Sequence, residues 1–235
     1  CTKWYCDKKP DPVESPKLLI KSVENSLSKL NTDHIDIMMF HGPLREEYPY
    51  IVDWCYPALK SLRGKGKIRF TGISTRFSLD PGQIVAESAV KNNPELFDVI
   101  MLKYGILNQY AATKIMPLAI KNNIGIMNMA VIREKLPDKT LLEQLITKWK
   151  KEGLIGKDSL KDKNPLGWLV KGDVDSIISA GYKFAADHPA VSTVITGTAD
   201  IKHLESNVNA LAKPILPRHH STILKNLFGR IIEYA

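Results

Sequence analysis

The sequence is poor in cysteine and contains no long apolar run. Its 235 residues include three cysteines, Cys1, Cys6 and Cys55, which form neither a C-x-x-C metal motif nor the even set of a disulfide framework. Disulfides persist in oxidising compartments, so this scarcity favours a reducing one, and we expect a cytoplasmic protein. A membrane-spanning helix needs roughly 18 consecutive apolar residues, and the sequence has no such run. We therefore expect no membrane segment.

Positive charge predominates, but it is not concentrated. The sequence carries 33 Lys and Arg against 25 Asp and Glu, a formal net charge of +8. Its short basic fragments are scattered, as at residues 148–151 and 161–163, whereas nucleic-acid-binding proteins gather such charge into one patch. We expect a surface that favours small anions, not nucleic acid. The adjacent His219 and His220 do not converge on one ion, and we expect no metal site.

Strand and helix patterns alternate along the chain. Ser15 followed by Pro16 marks a helix start, and Leu19, Val23, Leu27 and Leu30 continue it at helical spacing. We expect strands at residues 34–40, 68–74, 97–102, 124–129 and 191–195, and helices at 15–30, 51–62, 80–92, 111–121, 174–186, 200–211 and 221–232. Apolar strands between helices imply a parallel α/β sheet that is covered on both faces, within a single domain, 1–235.

Residues 131–170 interrupt this alternation. They contain one amphipathic helix, with Leu141, Leu142, Leu145, Ile146 and Trp149 on its apolar side, followed by a polar stretch from Lys157 to Pro165. A connection this long is typically functional. We therefore expect an inserted loop or lid at 131–170 that shapes the substrate site.

Several short segments stand where predicted strands or helices end. They are Thr2-Lys3, the run Ser26-Leu27-x-x-Leu30-x-Thr32-Asp33-x-x-Asp36 followed by His41, Gly72-Ile73-Ser74, and Ile195-Thr196-Gly197-Thr198 followed by Leu204 and Asn207. In this order and at these places the chain resembles the aldo/keto reductase superfamily along essentially its whole length. The closing segment, 181–198, is similar to that of the aldose-dehydrogenase-like members.

The resemblance implies a (β/α)8 TIM barrel of which this chain lacks the first two βα units. It also implies an NAD(P)H-dependent oxidoreductase that interconverts a carbonyl (aldehyde, ketone or aldose) and an alcohol by hydride transfer. The first residue is Cys1 instead of Met, and the family's catalytic Asp and Tyr would lie upstream of it. We expect this piece alone to be inactive, and unstable or associated, because an open sheet exposes its edges.

Lys3 and His41 match the family's catalytic lysine and histidine. In the family a tyrosine donates the proton, the lysine lowers the pKa of that tyrosine, and the histidine hydrogen bonds the substrate oxygen. The simpler alternatives are a surface lysine and a structural strand-end histidine. We favour the catalytic roles because the active face of such a barrel lies where the strands end.

Three further positions match cofactor contacts near the nicotinamide ring. Ser74 and Thr75 stand where the family has a Ser-Asn pair, although Thr75 offers a hydroxyl in place of an amide. Met129 matches a residue that packs on the nicotinamide face, and a core role for it is equally compatible with its position. Met101 departs from the family's glutamine, and Asn128 is a polar residue without an assigned role in an apolar strand.

Four positions near the last strand match contacts to the rest of the cofactor. Gly197 and Thr198 precede a helix whose N-terminus is suited to a phosphate, and Asn207 matches the adenine-contacting asparagine. His203 stands where NADP-specific members often have arginine, with Lys202 nearby. We expect NADP as the cofactor, with NAD an open alternative.

Two other functions stay open at this point. One is a catalytically silent barrel that senses nucleotide as a regulatory subunit, which Met101 and Thr75 favour. The other is a sugar-phosphate barrel with Lys3 as a Schiff-base amine, which does not account for Ser74. The expected partner in the leading interpretation is a small-molecule carbonyl or sugar substrate. The sequence does not determine which one, nor the oligomeric state.

Overall fold

The computed structural model describes residues 1–6, 10–212 and 215–233. Its strands are β1 (Thr2–Trp4), β2 (Ile35–His41), β3 (Ile68–Ser74), β4 (Val99–Lys103), β5 (Gly125–Met129) and β6 (Val191–Val194). Its helices are α1 (Glu14–Leu30), α2 (Tyr48–Tyr50), α3 (Tyr56–Gly64), α4 (Ile84–Asn92), α5 (Tyr110–Lys114), α6 (Met116–Lys121), α7 (Lys139–Lys151), α8 (Ile177–Ala186), α9 (Ile201–Ala212) and α10 (Arg218–Phe228). A π-helical turn, Ile51–Cys55, joins α2 to α3, and two 3₁₀ turns lie at Pro94–Leu96 and Gly167–Leu169.

The strands follow one another in the sheet in the order in which they occur in the chain. Strands β1 to β4 pair in parallel, with Lys3 opposite Met39, and Ser74 opposite both His41 and Met101. This confirms the predicted α/β fold with a parallel sheet. In parallel pairing the carboxyl ends of neighbouring strands meet at one edge, which brings the residues that follow them together. The two missing βα units stay a prediction.

The chain divides into two compact units. The first comprises residues 1–102 and 114–126, and the second comprises 103–113 and 127–233. Each has its own apolar core. Leu19, Met38, Met39, Phe40 and Ile73 are buried in the first unit, whereas Tyr104, Ile106, Ile146, Phe184 and Phe228 are buried in the second. Each large apolar side chain removed from water contributes about 1.5–3 kcal/mol to folding. The single domain expected from the sequence stays a prediction.

Helix α1 begins slightly earlier than predicted because Asp11 caps it. The carboxylate of Asp11 accepts hydrogen bonds from the N–H groups of Val13 and Glu14, at 2.8 Å each. The Ser15 hydroxyl accepts one from the Asp11 N–H at 2.9 Å. Ser15 therefore takes part in the capping but is not the first capping residue. This reciprocal arrangement satisfies donors that the first helical turn leaves without partners.

Helix α8 begins three residues later than predicted, and α10 spans Arg218–Phe228 instead of 221–232. Two further differences have a local reason. The helix expected at 80–92 starts at Ile84, because the Asp80 carboxylate caps it from upstream by accepting from Ile84 N–H at 2.9 Å and Val85 N–H at 3.1 Å. The helix expected at 111–121 divides into α5 and α6 at Ile115. Pro117 follows this break, and proline inside a helix removes one backbone hydrogen bond and clashes with the preceding turn.

The segment 131–170 is folded within the second unit. Helix α7 is capped by Asp138, whose side chain accepts from Leu141 N–H at 2.9 Å. Of its predicted apolar side, Leu142, Leu145, Ile146 and Trp149 are buried, whereas Leu141 is exposed. The polar stretch that follows packs against α7 through hydrogen bonds from Lys163 and Asn164 N–H to Glu143, at 2.9 and 3.0 Å. A role of this segment as a lid stays a prediction.

Candidate functional site

The first candidate site is a cluster at the strand ends of the first unit. Lys3 lies in β1 and His41 is the last residue of β2. Tyr5 follows β1, with its hydroxyl 3.4 Å from His41 Nε2 and its ring centroid 4.0 Å from that of His41. The Arg76 guanidinium lies 5.6 Å from the Tyr5 ring centroid, a cation–π distance. The structure therefore brings Lys3 and His41 to one edge, together with Tyr5 and Arg76, which the sequence analysis missed.

The charges of this cluster determine the state of His41. Partial burial lowers the pKa of the His41 imidazole, and the positive charges of Lys3 and Arg76 lower it further. The imidazole is therefore neutral at pH 7, and each ring nitrogen either donates or accepts a hydrogen bond according to the tautomer. A neutral imidazole next to a lysine ammonium is suited to hold a polar oxygen on which negative charge develops.

Lys3 lies in a partly desolvated position. Its Nζ donates to the Met101 sulfur at a distance of 3.0 Å, and burial lowers the pKa of its ammonium group. Thioether sulfur is a weak hydrogen-bond acceptor. The lysine is thus held at the strand ends by a contact that stabilises its positive charge only weakly.

Ser74 and Thr75 are engaged with the protein itself. Both are buried. The Ser74 hydroxyl accepts from Gly42 N–H at 3.0 Å and donates to the Phe40 carbonyl at 3.4 Å. Thr75 N–H donates to the Met101 carbonyl at 2.9 Å, and the Thr75 hydroxyl donates to the Gln83 side-chain carbonyl at 3.2 Å. These bonds fix the ends of β2, β3 and β4, and cofactor contact by either residue stays a prediction.

Gly42 is required by its surroundings in this cluster. It has a positive φ of 54°, and a Cβ added there would lie 2.9 Å from Arg76 Cβ. Only glycine adopts this backbone conformation without strain and also leaves room for the neighbouring arginine. Gly42 therefore places the His41 side chain and Arg76 close to each other.

The second candidate site is a cavity of about 500 Å³ in the second unit. Four predicted cofactor residues line it: Gly197, Thr198, His203 and Asn207. Arg133, Ser176 and Tyr182 also line it, and the sequence analysis missed them because they stand outside the motifs. Met129 is not among the described residues that line the cavity, whereas the following residue, Ala130, is.

A hydrogen-bonded trio holds Asn207 in place. Its side-chain amide donates to the Thr196 hydroxyl at 2.8 Å, and that hydroxyl lies 2.8 Å from the Tyr182 hydroxyl. Asn207 is buried, so its orientation is set by these partners and not by water. Tyr182 comes from α8, Thr196 follows β6, and Asn207 lies in α9, so the trio also joins three elements of the unit.

The beginning of α9 already has an internal anion. Asp200 Oδ1 accepts from Lys202 N–H at 2.7 Å and from His203 N–H at 3.2 Å. The His203 and Lys202 backbone hydrogen bonds lower the pKa of the Asp200 carboxyl. A phosphate at this helix N-terminus would have to share these N–H groups with Asp200, so the Arg133 guanidinium and the His203 ring are the side-chain groups of the cavity that could hold it.

Asn128 has a structural role that its sequence position did not show. Its side-chain oxygen accepts from Tyr104 N–H at 3.0 Å, and its amide donates to the Tyr104 carbonyl at 2.9 Å. The residue is fully buried. Asn128 thus satisfies both backbone groups of Tyr104, in the way that a neighbouring strand would.

Neither a metal centre nor a membrane span is found in the part of the chain that the structure describes. No three His, Cys, Asp or Glu side chains at residues 1–6, 10–212 and 215–233 converge as metal ligands would. No helix in these ranges is both long and apolar enough to span a bilayer.

Comparison with known proteins places the chain in a family. The sequence model of the Aldo/keto reductase family matches residues 1–225. The oxidoreductase YqkF of Bacillus subtilis, described as uncharacterized, is 26% identical over 209 residues, which are 88% of this chain and 62% of that protein. A D-threo-aldose 1-dehydrogenase of a Pseudomonas species is 29% identical over 117 residues, 49% of this chain and 33% of that protein. An L-galactose dehydrogenase of Arabidopsis thaliana is 26% identical over 196 residues, 82% and 57% of the two chains.

Solved structures agree on the fold. An aldo-keto reductase of Bacillus halodurans in its holo form superimposes with a TM-score of 0.65 at 20% identity, covering 99% of this chain and 72% of that one. The aligned part of this chain spans 62%, 33% and 57% of the lengths of the three sequence relatives. The match of the family model over residues 1–225 shows that the chain belongs to the aldo/keto reductase family.

Proposed function

We propose that the protein is an NADP(H)-dependent oxidoreductase that interconverts a carbonyl and the corresponding alcohol. The observation that carries the proposal is the 500 Å³ cavity of the second unit, which Gly197, Thr198, His203 and Asn207 line together with Arg133. Its volume lies within the range of about 300–1,000 Å³ of small-molecule and cofactor sites. Arg133 supplies positive charge, His203 a ring nitrogen and Asn207 an oriented amide, a set of groups that fits a nucleotide phosphate and base.

A bound nicotinamide supplies or accepts the hydride in such a reaction. The chain's own contribution lies at the strand ends of the first unit. His41, whose pKa is lowered by partial burial and by the charges of Lys3 and Arg76, would donate a hydrogen bond to the carbonyl oxygen and stabilise the negative charge that develops there. The ammonium group of Lys3 would stabilise the same negative charge. The proton donor is not assigned to a residue of this chain.

The substrate proposed is a small carbonyl compound, with an aldose as the first choice. Two relatives bear names that state sugar chemistry, D-threo-aldose 1-dehydrogenase and L-galactose dehydrogenase. At 29% and 26% identity they support the class of substrate and not its identity. Aldoses are therefore the compounds to test first, followed by aromatic and aliphatic aldehydes and ketones.

A fluorescence titration tests the cofactor part of the proposal. NADPH and NADH are added separately to the protein as its gene encodes it, and quenching of the tryptophans is followed. We expect NADPH to bind, and Arg133→Gln to weaken binding about tenfold, because a charge-assisted hydrogen bond to phosphate is lost. Arg230→Gln makes the same chemical change outside the cavity and should leave binding unchanged. If neither nucleotide binds, the proposal is wrong.

A second candidate is a nucleotide-sensing regulatory subunit without turnover. It is favoured by the hydrogen bond of the Thr75 hydroxyl to Gln83 and by the thioether of Met101 beside Lys3, which occupy positions where the family offers amides. Binding of NADPH without oxidation or reduction of any aldose or aldehyde in the panel would support this second function and exclude the first.

A further inference from the structure

A second, larger cavity lies in the second unit, apart from the proposed cofactor cavity. Its volume is about 1000 Å³, and it lies between the segment 168–174 and helices α8 and α10. In the described part of the chain, none of the residues that line it also lines the cavity of Gly197 and Asn207. It is therefore a separate site with its own chemistry, and the proposed hydride transfer does not use it.

Buried polar atoms without partners mark one wall of this cavity. Trp168 and His220 line it, with ring centroids 5.1 Å apart in an edge-to-face arrangement. Trp168 Nε1 and His220 Nδ1 have no hydrogen-bond partner among the residues that the structure describes. His220 is only 7% exposed. Buried polar groups are nearly always hydrogen-bonded, and an indole N–H is only a donor, so the missing partner must provide an acceptor.

The charges around the cavity are mainly positive. Lys171 and Lys183 line it, and Asp173 is the acidic side chain among its described lining residues. Lys183 is buried, and its ammonium group donates to the Ala210 carbonyl at 3.3 Å. Burial is the larger cause that lowers the pKa of His220, and the neighbouring His219 and Lys171 lower it further.

The start of α10 adds to this positive potential. The helix has 11 residues and begins at Arg218, directly before His219 and His220. Its N-cap is Pro217, and within the described residues no side chain caps it. A helix N-terminus carries a partial positive charge on its first N–H groups and attracts anions.

The remaining walls are apolar. Val174, Ala212, Ile215 and Ile223 line the cavity, and Ile215 is 73% exposed. An inorganic anion would leave these walls in contact with water. A ligand with an acidic head and an apolar body would use both the positive wall and the apolar walls.

We propose that this cavity binds an amphipathic organic anion, with its carboxylate or phosphate head next to Trp168, His220 and Lys171 and its apolar body against Ile215 and Ile223. The two acidic heads share the same chemistry, since each offers several acceptor oxygens and negative charge. The site does not depend on the proposed reductase activity, because none of its residues is among those proposed to hold the cofactor or the substrate oxygen.

Probes of one shape and different charge test the proposal. 1-Naphthoate, 1-naphthyl phosphate and the neutral 1-naphthamide are titrated into the ¹⁵N-labelled full chain, and the indole N–H resonance of Trp168, assigned from Trp168→Phe, is followed by NMR. We expect at least one of the two acids to shift this resonance and to bind at least tenfold more tightly than the amide. Equal binding of acids and amide, or no shift of the Trp168 resonance, would overturn the proposal.

A matched pair of variants tests whether the charge of Lys171 contributes to binding of the acid. Lys171 and Lys157 are both exposed, so neither substitution should affect folding, and an unchanged melting temperature verifies this. We expect Lys171→Gln to weaken binding of the tighter acid about three- to tenfold, whereas Lys157→Gln, outside the cavity, leaves it unchanged. Equal affinities of the two variants would contradict the assignment of the acidic head to this wall. NADPH binding is measured in parallel and should be unaffected by Lys171→Gln.

Discussion

Lys3 and Met101 are in contact although two strands separate β1 from β4 in the sheet. The Lys3 Nζ lies 3.0 Å from the Met101 sulfur, whereas strands three positions apart in a flat sheet would be about 14 Å from each other. The contact is expected when a sheet curves and its long side chains converge on the inner face. It also places the Met101 sulfur, a weak hydrogen-bond acceptor, beside Lys3, which the resemblance identifies as catalytic.

The first prediction concerns this pair. Met101→Gln gives Lys3 a carbonyl oxygen in place of a thioether, so the pKa of the Lys3 ammonium, which burial lowers, should rise. The measurement is an NMR pH titration of the Lys3 side chain, assigned from Lys3→Arg. Met101→Leu removes the sulfur without adding an acceptor and should not raise the pKa. A lower pKa of Lys3 in Met101→Gln would contradict this effect of the acceptor on Lys3.

The second prediction concerns the titration of His41. Arg76→Gln removes a positive charge that disfavours the imidazolium, so the pKa of His41 should rise towards its usual value of 6.5. The measurement is an NMR titration of the His41 ring protons. Arg69→Gln is the control, because Arg69 pairs with Asp36 and is not among the groups that shift His41. If both variants shift His41 equally, the charge of Arg76 is not the cause.

The same shift predicts the effect of acid on stability. The folded-state pKa of His41 is below 6.5, so the unfolded chain binds this proton more readily than the folded chain. Between pH 6.5 and the folded-state pKa the free energy of unfolding should therefore decrease as the pH falls. In urea denaturation at several pH values, His41→Gln should lose this part of the pH dependence, whereas His34→Gln should retain it.

The third prediction concerns turnover and depends on the proposed function. His41→Gln should lower kcat about 100-fold with little change in KM, because a hydrogen bond to the developing charge is disturbed mainly in the transition state. His34→Gln is the matched control, since His34 is partly exposed and pairs with Asp33 at 2.7 Å. Unchanged kcat in His41→Gln would remove His41 from the mechanism while leaving the family membership intact.

The fourth prediction concerns Asn128. Asn128→Leu leaves the backbone N–H and carbonyl of Tyr104 without the partners they have now, and each unsatisfied buried group costs about 1–3 kcal/mol. The free energy of unfolding in urea should therefore fall by about 2–5 kcal/mol. Asn226→Leu is the control on an exposed position of α10 and should change it by less than about 0.5 kcal/mol. Equal effects would show that Asn128 is not structural.

The fifth prediction concerns a buried ion pair in the second unit. Glu233 accepts from Lys103 Nζ at 2.5 Å and also from Lys135. Burial raises the pKa of Glu233, but the hydrogen bonds from the two lysines outweigh it and the net pKa is lowered. For Lys103, burial is the larger effect and lowers the pKa, although Glu233 opposes it. The charged form of each group is therefore stabilised by the other.

Glu233→Gln should lower the free energy of unfolding by about 3 kcal/mol at pH 7, because it leaves the buried Lys103 cation uncompensated. In the parent chain this contribution is present above pH 4.5 and is lost as the pH falls through the lower folded-state pKa of Glu233. Glu152→Gln removes an exposed pair with Lys148 and should cost less than about 1 kcal/mol. A small effect of Glu233→Gln would show that water already screens the pair.

Local chemistry explains which predicted elements were correct. The strands were predicted within about two residues because their apolar runs are bounded by turn residues, and α7 was predicted because its apolar side repeats at helical spacing. The start of α4 was wrong because the Asp80 side chain caps it across a three-residue turn. The undivided helix at 111–121 was wrong because Pro117 interrupts it.

The site could be predicted only in part. The family motifs identified Lys3 and His41 at strand ends, and they identified Gly197 and Asn207, which line one cavity in the structure. Motifs identify such residues because the family's site residues occupy fixed positions along the chain. Tyr5, Arg76, Arg133 and Tyr182 were not identified, since none stands in a motif. Their relevance follows only from what they contact after folding.

The sequence by itself determined the parallel α/β fold, the family, and the strand-end positions of Lys3 and His41, because periodicity and motif spacing are local properties of the chain. The tertiary structure alone decided how these residues are tuned. Burial and the charges of Lys3 and Arg76 lower the pKa of His41, Met101 contacts Lys3, and Asn128 satisfies the backbone groups of Tyr104. The electrostatic and hydrogen-bonding environment of a side chain depends on neighbours that are distant in sequence. Those neighbours are set only when the strands pair and the core closes.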